Sequence, residues 1–123
     1  MRDQPARTWS EGWALVLVVN RFAVTAESQF VERAHAAISV LAVRDGFVRA
    51  QLGRAADDPH RWCLVTEWAS VGAYRRALSA YDVKLYATPL LAEAEEEPSA
   101  YEVLASSDGS GITVGNSDRA AGE

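Results

Sequence analysis

The sequence predicts one α+β domain in which strands and helices follow the order β-α-β-β-α-β. Segments rich in β-branched and aromatic residues alternate with segments whose apolar residues recur at helical spacing, and turn-forming residues separate them. The chain has 123 residues, of which 49% are hydrophobic and 24% charged, and this suits a single domain with its own core.

The first half of the chain contains two predicted strands and one helix. Residues 15–22 form a continuous run rich in β-branched residues, which is typical of a strand covered on both faces. Thr25 is placed to cap a helix, and Asp45-Gly46 is a turn signal that ends it before a second strand at 47–54. The apolar stripe of this helix comprises Phe30, Ala34, Ala37, Ile38 and Leu41.

The second half repeats the alternation. A loop is predicted at 55–61 and a third strand at 62–68. Ser70 is the predicted cap of a second helix, which is followed by a partly helical stretch at 83–95, interrupted by a proline, and by a last strand at 99–105. The apolar stripe of the second helix comprises Tyr74, Ala77, Leu78 and Tyr81.

This order predicts the ferredoxin-like arrangement, a four-stranded antiparallel sheet with helices on one face. The first strand is apolar on both faces, so a second layer is expected on the face without helices. We therefore expect a homodimer in which two sheets face each other, a dimeric α/β barrel.

The ends of the chain differ in composition from this body. We expect residues 1–12 to form a flexible extension, residues 13–105 the folded domain and residues 106–123 a disordered tail rich in Gly and Ser. The acidic run of Glu93, Glu95, Glu96 and Glu97 is predicted to be a solvated, self-repelling loop.

Composition also excludes several classes of function. A formal charge of −5 argues against a nucleic-acid partner, and no apolar run is long enough for a membrane span. The start of the chain lacks a signal-peptide pattern, and the single cysteine, Cys63, forms no internal disulfide, so a cytoplasmic location is expected. The residues show neither paired metal-ligand spacing nor a glycine-rich phosphate loop.

Alternation along the strands predicts a small-molecule site between the sheet and the helices. Asn20 and Trp68 fall on the side of their strands that we expect to face the helices, where an amide and an indole N–H would converge in an apolar pocket. The alternative is structural, with Asn20 satisfying a strand edge and Trp68 filling core. The residues sharing these two sides are Val16, Val18, Asn20 and Phe22, and Trp62, Leu64, Thr66 and Trp68.

Four motifs in this order and spacing resemble the antibiotic biosynthesis monooxygenase family: VLVVNRF, DGF, LVTEW followed by Ser and a helix, and PSAYEVL. The resemblance spans 14–105 and implies a dimeric α+β barrel. Some members of the family oxygenate aromatic compounds with dioxygen and without a cofactor, whereas others bind and degrade haem. In the haem-degrading branch an Asn on the first strand and a Trp on the third are functional, and they match Asn20 and Trp68.

For cofactor-independent oxygenation, the resemblance implies that Asn20 and Trp68 are the catalytic donors to a small aromatic, quinol-like ligand. The aromatic residues that would form the walls of the pocket and stack against a flat ligand are Phe22, Trp62, Tyr74, Tyr81 and Tyr86. Haem is the second cofactor hypothesis, but Thr88 stands near the position of the family's iron-binding His, and a Thr hydroxyl is a poor haem ligand. A non-catalytic barrel that binds a small ligand is the third reading.

Overall fold

The computed structural model describes residues 15–115, and four strands and four helices form its main body. The strands are β1 (Val16–Ala23), β2 (Phe47–Ala55), β3 (Asp58–Trp68) and β4 (Ala100–Glu102). The helices are α1 (Glu27–Ala42), α2 (Val71–Leu78), α3 (Tyr81–Tyr86) and α4 (Thr88–Leu91). A separate hairpin follows, made of β5 (Ala105–Ser106) and β6 (Thr113–Val114).

The main sheet has the strand order β2-β3-β1-β4, and every neighbouring pair is antiparallel. The helices follow β1 and β3 in sequence, which gives the split β-α-β topology of ferredoxin-like folds. The predicted α+β fold with a four-stranded antiparallel sheet is therefore confirmed. Within residues 15–115, no helix is long and apolar enough to cross a membrane.

One face of the sheet, which we call the helical face, carries the core. Its side chains from β1 and β3 are Val16, Val18, Asn20, Phe22, Trp62, Leu64, Thr66 and Trp68, and register partners across the ladder share this face. All of them are buried except Asn20, which is half-buried. The helices supply the opposing layer through Phe30, Ala34, Ala37, Leu41, Ala73, Ala77, Val83 and Leu90.

The opposite side, which we call the open face, carries Leu17, Val19, Cys63, Val65 and Tyr101. The first four are half-buried, and Tyr101 is 42% exposed. An ion pair between Arg49 and Glu67, 3.1 Å apart, lies on the same face. The sheet does not close on itself, so the barrel formed with a second copy stays a prediction.

The turn between α1 and β2 depends on Gly46, whose φ of +87° lies in the left-handed region. A Cβ at this position would overlap the side chain of Ala73 in α2. The carbonyl of Gly46 also accepts a hydrogen bond of 2.7 Å from the backbone N–H of Ala69. The predicted Asp-Gly turn signal therefore marks a point where the backbone approaches α2 closely.

Strand β3 begins earlier than the sequence predicts. The predicted loop at 55–61 is a tight hairpin, since β2 extends to Ala55 and β3 starts at Asp58. The backbone N–H of Val24 also donates to the carbonyl of His60 at 2.8 Å. Cross-strand pairing outweighs the low strand propensity of Asp, Pro and His in this segment.

The acidic run is not the self-repelling loop that the sequence predicts. Three arginines from three elements each pair with one of its carboxylates: Arg33 with Glu93 at 2.9 Å, Arg61 with Glu95 at 2.7 Å and Arg21 with Glu97 at 3.7 Å. The backbone N–H of Glu95 donates to the carbonyl of Arg21 at 2.8 Å. These contacts therefore hold residues 93–97 in place beside β1, beyond the region where the short strand β4 pairs with it.

The predicted domain boundaries are only partly within the described residues. Residues 1–12 of the predicted extension and residues 116–123 of the predicted tail lie outside them. Across the predicted boundary between domain and tail, Ala105 pairs with Val114 and Ser106 with Thr113 to form the small β5–β6 hairpin. The disorder predicted for the tail stays a prediction.

Candidate functional site

Asn20 is the half-buried polar residue of β1 on the helical face. It lies opposite Leu64 of β3, whose side chain is 1% exposed. Its carboxamide has two N–H donors and an acceptor oxygen in a largely apolar layer. This position agrees with the predicted orientation toward the helices.

Trp68 ends β3 on the same face and is completely buried. Its indole Nε1 donates a hydrogen bond of 2.9 Å to Oγ1 of Thr66, which is 3% exposed. The predicted role of this indole N–H is that of a donor to a ligand, but in the structure it donates to Thr66. Trp68 donates and Thr66 accepts in this bond, so the Thr66 O–H, rather than the indole N–H, is the group of the two that can still donate a hydrogen bond.

Tyr74 of α2 covers Trp68 from the helical layer. The two rings lie 5.5 Å apart at 51°, and Phe47 contacts Trp68 edge-on at 5.4 Å and 85°. Burial raises the pKa of the Tyr74 hydroxyl above its ordinary value of 10.0. The phenol is therefore a hydrogen-bond donor at neutral pH, and a phenolate base at this position is disfavoured.

Thr66 bridges the space between the two residues that the sequence singles out. Trp68 lies opposite Val16, four residues from Asn20 along β1, so the two backbones are about 13 Å apart along the sheet. Thr66 lies two residues before Trp68 on β3, and its partner Val18 lies two residues before Asn20 on β1. Asn20, Thr66 and Trp68 thus form a diagonal polar row on the helical face, which we call the polar row.

Thr66 is the member of the polar row that the site prediction does not include. Strand alternation already assigns it to the same side as Trp68. The missing information is the indole hydrogen bond, which depends on side-chain rotamers and leaves no signal in the pattern of apolar residues.

Two of the predicted wall residues lie at the other end of the helical face. Phe22 and Trp62 are opposite each other in the β1–β3 ladder, and both rings pack on Phe30, with centroids 5.1 and 5.4 Å away. The indole N–H of Trp62 donates to the carbonyl of Pro59 at 3.0 Å, and the guanidinium of Arg54 lies 5.6 Å from the ring centroid. This cluster borders the Asn20 end of the polar row.

The structure does not bring Tyr81, Tyr86 and Thr88 into the buried layer. The side chain of Tyr81 is 77% exposed and that of Tyr86 55% exposed, and Thr88 is exposed at the start of α4. Helix α2 ends at Leu78, so Tyr81 starts a new helix and leaves the apolar stripe on which the sequence prediction places it.

Among residues 15–115, no group of three or more His, Cys, Asp and Glu side chains is arranged to hold a metal ion. His60 directs Nδ1 at the carbonyl of Val24, 3.1 Å away. The ring of His60 therefore forms its hydrogen bond near one end of the β1–β3 ladder, and Trp68 lies at the other end.

Comparison with known proteins points to one family. A family model described as antibiotic biosynthesis monooxygenase matches residues 15–88. This range includes the whole polar row, as well as Tyr74 and Phe47. No curated protein matches the chain.

Solved structures extend the comparison. SnoaB, a cofactor-independent oxygenase from Streptomyces nogalater, is 30% identical over 72% of this chain and 91% of its own, with a TM-score of 0.64. A variant of SnoaB aligns over 89% of this chain and 98% of its own, with 25% identity and a TM-score of 0.60. A conserved protein from Methanosarcina mazei Go1, 17% identical over 78% of this chain and 97% of its own, shares the fold with a TM-score of 0.62.

Proposed function

This chain belongs to the antibiotic biosynthesis monooxygenase family, and on that basis we propose that it is a cofactor-independent monooxygenase that oxidises an aromatic, quinol-like small molecule with dioxygen. The observation that carries the proposal is its similarity to SnoaB, an oxygenase described as cofactor-independent. The helical face supports it with an apolar, aromatic layer that contains a few polar groups.

The proposed substrate supplies its own electrons. The anion of an anthrone or hydroquinone is electron-rich enough to transfer an electron to dioxygen. For an anthrone, one oxygen atom enters as a ketone, and the other leaves as water with the two hydrogens of the oxidised methylene. Atoms and electrons balance without an external reductant, so the protein must bind the ring, exclude water and stabilise negative charge.

The polar row provides the donors for that charge. The Asn20 amide and the Thr66 hydroxyl lie on one face two residues apart in register, and a substrate oxyanion placed between them would accept from both. In this proposal Trp68 is a positioning residue, because its N–H holds the Thr66 oxygen. Tyr74 contributes a ring surface and a protonated hydroxyl.

We further propose that the protein acts as a homodimer in the cytoplasm, with the open face covered by a second copy. The apolar side chains of that face are Leu17, Val19, Cys63 and Val65, and Tyr101 lies beside them at the β4 edge. In this arrangement the small aromatic ligand would bind between the sheet and the helices of the same chain.

Oxygen uptake with a panel of hydroquinones and anthrones tests the proposed activity. We expect uptake by the wild-type protein and a decrease of about 100-fold in Asn20→Ala, since removal of one oxyanion donor commonly costs this much. Trp68→Phe keeps an aromatic side chain but loses the indole N–H, so Thr66 is no longer held in position and uptake should decrease. Gln29→Ala removes an exposed amide from α1 and is the matched control, with unchanged uptake.

Three results would contradict the proposal or its assignment to the polar row. Equal turnover in Asn20→Ala and the wild-type protein would move catalysis away from the polar row. A saturable Soret shift on addition of haemin, without uptake on any aromatic substrate, would favour the haem-binding reading. If neither assay responds, a non-catalytic ligand-binding module is the remaining reading.

A further inference from the structure

The arginines within residues 15–115 divide into two groups. Five of them pair with a carboxylate: Arg21, Arg33, Arg49, Arg54 and Arg61. In the part of the chain that the structure describes, Arg44, Arg75 and Arg76 form no ion pair. The chain has 17 acidic and 12 basic residues, so a shortage of carboxylates does not explain the unpaired arginines.

Two of these unpaired arginines line the same cavity. The cavity has a volume of about 230 Å³ and lies between the turn after α1 and the last turn of α2. Its lining consists of Val43, Arg44, Asp45, Arg76 and Ala77. Arg75, the third unpaired arginine, is absent from the lining although it precedes Arg76 in the same helix.

The charges around this cavity are unbalanced. Arg44 and Arg76 carry two positive charges, and the carboxylate of Asp45 forms no ion pair with either within the described residues. Like charges around a shared cavity repel each other. Nε of Arg44 is also buried and has no hydrogen-bond acceptor among residues 15–115, which is unfavourable for a charged group.

The position of Arg76 is supported by a neighbouring glycine. Nη1 of Arg76 lies only 3.3 Å from the point that a Cβ of Gly72 would occupy, so the guanidinium rests on a bare surface of α2. The Arg76 guanidinium packs against the helix and has no hydrogen-bonding partner in the described part of the chain, so its N–H donors remain available.

We propose that this cavity binds a small oxyanion, a phosphate or carboxylate group, between Arg44 and Arg76. Guanidinium groups bind such oxyanions through paired, charge-assisted hydrogen bonds. The anion would supply the partner that both side chains lack and would neutralise their repulsion. The cavity lies in the helical layer, separate from the polar row and the open face, so the proposal is independent of the oxygenase activity.

Amide chemical shifts of the full-length protein test the proposal. Inorganic phosphate and, separately, acetate are titrated at constant ionic strength. We expect saturable shifts at residues 43–46 and 76–77, and an affinity about tenfold lower in Arg44→Gln and in Arg76→Gln. Arg75→Gln removes the neighbouring charge outside the cavity and should bind as the wild-type protein does.

Saturation by phosphate alone would assign the site to a phosphate group, and saturation by acetate as well would assign it to oxyanions in general. Shifts that stay linear for both ions would overturn the proposal. So would equal affinities in Arg44→Gln, Arg76→Gln and the wild-type protein. Circular dichroism of each variant confirms that the fold is retained, as expected for side chains without protein partners.

Discussion

The hydrogen bond between Trp68 and Thr66 decides how the candidate site is interpreted. Both side chains are almost fully buried, and the 2.9 Å bond satisfies the indole N–H inside the core. A buried indole that lost this acceptor would carry an unsatisfied donor. The bond therefore fixes the Trp68 ring beside Tyr74 and leaves the Thr66 O–H as the remaining donor of the two side chains.

Replacing Thr66 with valine should destabilise the protein although the side-chain volume hardly changes. We expect the free energy of unfolding to fall by about 1–3 kcal/mol, because the indole N–H of Trp68 is left buried without an acceptor. Urea unfolding measures this difference. Thr66→Ser retains the oxygen and should lose less, so a larger loss in the serine variant than in the valine variant would contradict this role.

Tyr74 should make the stability of the protein sensitive to alkaline pH. Its pKa is raised in the folded state, so above pH 10 the unfolded chain loses the phenolic proton while the folded protein keeps it. The free energy of unfolding should then decrease as the pH rises above 10, and Tyr74→Phe should show a shallower decrease. Urea unfolding between pH 8.5 and about 10.5 measures both slopes.

Tyr86→Phe, at an exposed position, is the control and should follow the wild-type curve. Parallel curves for Tyr74→Phe and the wild-type protein would show that the buried phenol does not contribute to the pH dependence.

At the residue scale, the sequence predicts side-chain direction well within strands and poorly across helix ends. Asn20 and Trp68 share a face because alternation is fixed by the strand backbone. Tyr81 leaves the predicted stripe because α2 ends at Leu78 and a new helix starts, and helical periodicity does not show this break. The Thr66 bond depends on rotamers, which the residue pattern does not encode.

At the scale of elements, the turn between α1 and β2 is the most restrictive connection. Gly46→Ala places a Cβ against Ala73 at a positive φ, and we expect a loss of about 2–4 kcal/mol in the free energy of unfolding. Thermal and urea unfolding measure the loss. Gly109→Ala also introduces a side chain at positive φ, but nothing lies within 4 Å of its Cβ, so it should cost less. Equal losses would show that the overlap with Ala73 is relieved without cost.

Predictions of elements fail where pairing across the sheet decides the structure. The Asp-Pro-His segment enters β3 because it faces Ala55 of β2 and Val24 beyond β1. The acidic run is ordered by arginines distant in sequence, such as Arg33 for Glu93. Local composition indicates loops in both cases, since it contains no information about these partners. The Ser70 cap, by contrast, is local, and its Oγ accepts from Ala73 as predicted.

At the scale of the whole molecule, the sheet has two faces with different expected roles. The helical face is closed by the helices of the same chain, and the open face carries half-buried apolar side chains around Val65 in the middle of β3. A patch of this kind on a sheet commonly marks an interface. The sequence predicts this two-faced character from β1 alone, but a single chain does not contain the second layer.

Sedimentation equilibrium tests the expected dimer. The wild-type protein should sediment as a dimer at micromolar concentration, and Val65→Lys should sediment as a folded monomer, since a buried lysine without a partner opposes association. Val43→Lys alters a valine that is 67% exposed after α1 and should remain dimeric. A monomeric wild-type protein would contradict the assignment of the open face.

The central claim is that an aromatic guest binds the helical face of the sheet. Its most direct test is a nuclear magnetic resonance titration with an anthraquinone, the oxidised counterpart of an anthrone, that follows the side-chain N–H signals of Asn20, Trp68 and Gln51. Gln51 lies opposite Val65 on the open face and is the internal control. We predict saturable shifts for Asn20 and Trp68 with Gln51 unchanged, whereas shifts of Gln51 with Asn20 and Trp68 unchanged would contradict the account.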